Sequence, residues 1–105
     1  MDLPAFKASL AADRPPRGTA APLKALWWAG KGDWAKAHEV AQEHKDKLSA
    51  WVHAYLHRVE GDHANAAYWY RRAGRSPAEG ALPAEWETIA GSLLEPDPGR
   101  ARKKP

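Results

Sequence analysis

The 105-residue chain has no cysteine, one methionine and one phenylalanine. The missing cysteine excludes disulfide frameworks, thiolate zinc sites and cysteine nucleophiles. No apolar run approaches the roughly 20 residues that a bilayer-spanning helix needs. Met1 to Leu10 lacks the basic-then-apolar order of a signal peptide, so a cytoplasmic location without a membrane partner is expected. Serine is sparse too: Ser9, Ser49, Ser76 and Ser92 have no triad context, and there is no phosphate-cradling glycine loop. An excess of one charge is also missing from most of the chain. Arg100, Arg102, Lys103 and Lys104 carry four of the 16 basic residues, leaving 12 basic against 13 acidic over residues 1–99. The net charge of +3 is therefore a property of the C-terminal end. A basic end after Pro96-Asp97-Pro98-Gly99 reads as a disordered, solvated tail, and no specific nucleic-acid partner is expected.

What remains, 44% hydrophobic and 28% charged, is enough for one small packed domain. Prolines and glycines divide it into short segments with 3.6-residue apolar spacing and no sustained alternation, which predicts an all-α fold of about five to six helices in antiparallel hairpins. Residues 1–19 are expected to hold a helix capped by Asp2, with Leu3, Phe6 and Leu10 on one face, and a linker at Arg14-Pro15-Pro16-Arg17-Gly18. Residues 20–95 form the expected hairpin domain, and 96–105 the tail. A second helix over about 20–30 aligns Leu23, Leu26 and Trp27 and stops at Gly30-Lys31-Gly32. Asp33 opens a third with Trp34, Ala37, Val40, Ala41 and His44 on its face, His38 bordering it. The strongest stripe is the fourth: Leu48, Trp51, Val52, Tyr55, Leu56 and Val59. Asp62 opens a fifth helix with Ala66, Trp69, Tyr70 and Ala73, and Pro83 a sixth with Trp86, Ile89, Ala90 and Leu93.

A shift of 29 residues superposes Ala25 on Ala54, Gly32 on Gly61, Asp33 on Asp62 and Ala37 on Ala66. Each copy reads as helix, Gly-Asp turn, helix. Glycine permits the left-handed turn, aspartate caps the next helix, and alanine lets the helices approach closely. With Tyr70, Ala73 and Pro77, the string Gly61-Asp62-x-x-x-Ala66 resembles the second helix of tetratricopeptide and Sel1-like repeats, and Gly32-Asp33-x-x-x-Ala37 with Ala41 resembles it again. The stretch from Ala50 to Arg75 also resembles a small family of bacterial helical proteins. The period of 29 is shorter than the roughly 34 of tetratricopeptide repeats. The resemblance implies a protein- or peptide-binding module, not an enzyme, with no cofactor or metal required.

Candidate site residues lie on the fourth and fifth helices. His53 and His57 are four apart, Glu60 follows, and His63 is near in sequence. They read as half-exposed hydrogen-bonding groups beside a groove, or as a divalent-metal strip. Tyr68 and Arg72 are also i and i+4, with Trp69 between faces. Across a hairpin, His53, His57, Tyr68, Trp69 and Arg72 would border a groove suited to a partner bearing an acidic group, because arginine offers a planar fork and aromatic rings offer rigid contact area. An anion site, or a general acid-base pair of His53 or His57 with Tyr68, is the alternative. His44 reads as a satisfied core histidine. Trp27, Trp34, Trp51 and Trp86 read as packing volume, while Trp28, rotated about 100° from Trp27, needs a cover.

Overall fold

A computed structural model describes residues 1–94; the basic tail expected from residue 96 lies outside them. Six helices follow one another: α1 (Leu3–Ser9), α2 (Ala21–Gly30), α3 (Trp34–Gln42), α4 (Lys47–Val59), α5 (His63–Ala73) and α6 (Leu82–Leu94). No strand occurs among the described residues. The starts follow local chemistry. Asp2, Asp33 and Asp62 accept hydrogen bonds from the amides of Ala5, Lys36 and Asn65 at 3.0, 3.0 and 3.1 Å. Asp46, which the apolar pattern does not single out, caps α4 in the same way through Ser49.

The two Gly-Asp turns have the same geometry. Gly32 and Gly61 have φ of +83° and +86°, a region L side chains rarely adopt. The amide of Asp33 donates to the carbonyl of Trp28 at 3.0 Å and that of Asp62 to His57 at 2.9 Å, again 29 residues apart. These bonds close α2 and α4 and turn the chain into α3 and α5.

The α2–α3 and α4–α5 hairpins lie side by side, with α3 against α4, while α6 crosses α2 and α4 and α1 packs on α6. Ala37 and Ala66, both buried, are the small residues through which α3 and α5 meet their neighbours. The core includes Phe6, Leu26, Trp27, Val52, Leu56, Tyr70 and Ile89. Phe6 stacks on Trp86 with ring centroids 5.7 Å apart, so the N-terminal helix shares this core. Indole N–H groups tie elements together: Trp27 to Ser9 Oγ at 3.0 Å, Trp34 to the Leu56 carbonyl at 2.7 Å and Trp86 to the Leu26 carbonyl at 2.9 Å.

Several expectations are corrected. Leu48 and Val59, the two ends of the α4 stripe, are 46% and 41% exposed, because the stripe outruns the helices packed on it. His44 is exposed rather than core, since it falls after α3 has ended. Trp34 is half-buried. Trp28 is half-buried as well, under the Lys36 ammonium 5.0 Å from its ring centroid and beside the linker residues Arg14 to Thr19.

Candidate functional site

The 13-residue helix α4 is buried over most of its length, so the i, i+4 pair His53 and His57 enters the interior with it. They are 4% and 6% exposed, which corrects the expectation of half-exposed histidines beside a groove. The helix that covers them supplies a third ring. His38 of α3 stands at right angles to His53, centroids 4.6 Å apart, and at 76° to His57, centroids 5.2 Å apart. The Nε2 atoms of His53 and His38 face each other at 3.0 Å. One ring nitrogen of each of the three histidines lies within 4.8 Å of the others.

Aromatic rings clamp this group from two sides. Trp34 lies flat on His38 at 4.7 Å, and Trp69 lies flat on His53 at 3.8 Å. His53 in turn stacks on His57 at 4.9 Å. At the far edge, Nδ1 of His57 bonds to Oε1 of Glu60 at 2.5 Å. Burial lowers the His53 pKa to about 4, with His38 and His57 adding to the effect. Burial, reinforced by His57 and opposed by Glu60, also holds His38 below the ordinary histidine range. At neutral pH the facing rings of His38 and His53 are uncharged.

The cluster connects to the surface through Trp69. The Arg72 guanidinium lies 5.3 Å from the Trp69 ring centroid and 5.8 Å from that of Tyr68, and donates to the Tyr68 hydroxyl at 3.1 Å. Arg71 lies 6.0 Å from the Tyr68 centroid. Tyr68 is 42% exposed, and among the described residues none of Arg71, Arg72 and Arg75 forms an ion pair with a carboxylate. Arg75 covers Trp51 with its guanidinium 3.4 Å from the ring centroid, at the mouth of a cleft of about 440 Å³ lined also by Tyr70, Ser76, Glu85 and Thr88.

The structure thus joins His53, His57, Trp69, Tyr68 and Arg72 into one contiguous series, Tyr68 standing edge-on to Trp69, with the histidines inside and the arginine outside. His63, close in sequence, is exposed at the start of α5. Sequence reasoning missed His38 because it assigned α3 a single buried face. Helix α3 touches both α2 and α4 and needs two. The i, i+4 pair Trp34 and His38, centred about 60° round the helix from the Ala37–Ala41 stripe, was the readable sign of the second. Also missed was buried Glu85, which accepts from Arg58 Nη1 at 2.7 Å and from the Tyr70 hydroxyl. Burial, together with that carboxylate, pushes the Tyr70 phenol above its ordinary range.

Comparisons with protein-family models, curated proteins and solved structures give no match.

Proposed function

We propose that this chain is a helical-repeat binding module that docks a protein or peptide carrying an acidic group on the outer face of α5. The observation that carries the reading is the Arg72 guanidinium held over Tyr68 and Trp69 with no carboxylate partner among the described residues. A guanidinium fixed on aromatic rings loses little further freedom on binding, and its fork matches a carboxylate through two hydrogen bonds. Among the described helices α5 packs mainly on α4, with Tyr70 reaching Glu85 of α6, and Tyr68, Arg71 and Arg72 on its outer side are exposed. The other side of α4 is occupied by α6, which leaves the α5 face as the accessible side of this hairpin. His53 serves from beneath by fixing the plane of Trp69. The matched Gly-Asp turns and their resemblance to tetratricopeptide-type hairpins support the same reading.

Selection from a random peptide display library on the immobilised protein tests it. The expected result is enrichment of peptides with Asp, Glu or a free C-terminal carboxylate, whose synthetic forms bind Arg72→Ala at least about tenfold more weakly, the effect of losing about 1.4 kcal/mol. Enriched peptides without acidic groups, or with equal affinity for Arg72→Ala, would contradict it.

A further inference from the structure

We propose that His38, His53 and His57 form a three-nitrogen site for one divalent transition-metal ion of the zinc class, held at the seam of α3 and α4 beneath Trp69. This goes beyond the binding face, and neither proposal requires the other.

Geometry is the first support. Two histidines one helical turn apart on α4 and a third from the adjoining helix bring a ring nitrogen each to within 4.8 Å of the others. Around a tetrahedral ion with metal–nitrogen bonds of about 2.0–2.1 Å, neighbouring ligand nitrogens sit about 3.3 Å apart. The His38 and His53 Nε2 atoms, at 3.0 Å, are already near that spacing. The same atom of two rings points at the same place, where an N–H···N hydrogen bond between opposite tautomers holds them together and a bound ion would take the proton's position. Drawing the three donors from within 4.8 Å to that spacing is the adjustment required when the ion binds.

The donor set is the second support. Imidazole binds a metal only in its neutral form. Three imidazole nitrogens and no thiolate suit zinc, nickel, cobalt or copper rather than the oxygen-seeking calcium or magnesium. Three protein ligands leave a fourth position for water.

The surroundings are the third. Glu60 holds Nδ1 of His57, the carboxylate–histidine arrangement that orients a ligating imidazole and leaves Nε2 as its donor. Trp34 and Trp69 restrain His38 and His53, so little ordering remains to be done when the ion binds. A second combination, His57 with Glu60 and Asp62, also brings donor atoms close. Its two carboxylates are exposed, and that of Asp62 is already engaged in capping α5. The three-histidine set is therefore the better ligand group.

The test is Zn(II) and Co(II) titration of untagged, chelator-treated full-length protein, followed by metal analysis after gel filtration. The proposal predicts about one Zn(II) per chain and, for Co(II), the intense visible bands of a tetrahedral site. His38→Ala and His53→Ala are expected to abolish stoichiometric uptake, with His44→Ala and His63→Ala binding as the wild type. Glu60→Gln is expected to weaken Zn(II) by about 10- to 100-fold, the usual effect of removing an orienting carboxylate. His38 is only half-buried, so His38→Ala keeps the test informative if His53→Ala does not fold. No stoichiometric uptake by the wild type would overturn the proposal. So would uptake that survives His38→Ala and is lost in Asp62→Asn, which would assign the ion to His57, Glu60 and Asp62.

Discussion

The indole of Trp69 lies on the imidazole of His53 with centroids 3.8 Å apart and planes 10° from parallel. Arg72 sits against the same indole from the surface side chains of α5. One ring therefore separates an exposed cation from a buried histidine, and it both packs the seam and keeps water from His53. Trp69→Ala should lower unfolding free energy by about 2 kcal/mol, the lower part of the range for large aromatic truncations because Trp69 is half-buried. In the same variant the His53 pKa, followed by NMR of its ring protons, should rise from about 4 toward the ordinary 6.5 as water returns. A stability change under about 0.5 kcal/mol would mark Trp69 as a surface residue.

The two Gly-Asp turns make a matched experiment. An added Cβ meets nothing within 4 Å at Gly32 or Gly61, so the cost of alanine there is purely conformational. Gly32→Ala and Gly61→Ala should each destabilise by about 1–2 kcal/mol, and by nearly equal amounts, since their φ values differ by only a few degrees. Gly91, inside α6 with open space around it, should gain about 0.5–1 kcal/mol as alanine. Denaturant unfolding reads all three. Unequal costs at positions 32 and 61 would mean that the turns do not share one geometry.

These turns were readable in the sequence because everything that makes them is local. A glycine able to take positive φ, an aspartate beside it and an alanine four residues later are enough. The α4 stripe was readable in its middle and not at its ends, since exposure of Leu48 and Val59 depends on where neighbouring helices stop. The histidine cluster was half-readable: His53 and His57 share a helix, whereas His38 joins them only through the packing of α3 on α4. Glu85 could not be placed, because its partners Arg58 and Tyr70 meet it only after α6 crosses the hairpin. Helical periodicity carries no information about that crossing.

Glu85 leads to a stability prediction of its own. Arg58 and Tyr70 both depend on its carboxylate inside the fold, and Arg58 also donates to the Gly80 carbonyl. Glu85→Ala should cost about 3 kcal/mol, because it strands a largely buried guanidinium and a buried phenol. Combining it with Arg58→Met should recover part of the loss in a double-mutant cycle. Additive losses would show that the ion pair is not a unit.

Acid should weaken the metal-free protein through His53. Its unfolded form takes up a proton near pH 6.5, while the folded form resists protonation until about pH 4. The unfolded chain therefore binds more protons within this window, so stability falls as pH falls from about 6.5 to 4 and the contribution is intact above it. The groups facing His53 are His38 on α3 and His57 on its own helix, with Trp69 of α5 uncharged. The loss is on the order of 2 kcal/mol once solvent screening at half-buried His38 is allowed for. His53→Gln should flatten this part of the pH profile, and an unchanged slope would place the titrating group elsewhere.

That the chemistry of this chain is gathered where α3, α4 and α5 meet is tested most directly by long-range ¹H–¹⁵N spectra of the histidine rings during Zn(II) titration. The account predicts that ring nitrogens of His38, His53 and His57 shift together and saturate at about one equivalent, while His44 and His63 remain in place. Movement of His57 alone, or of His44 and His63 alongside the three, would contradict it.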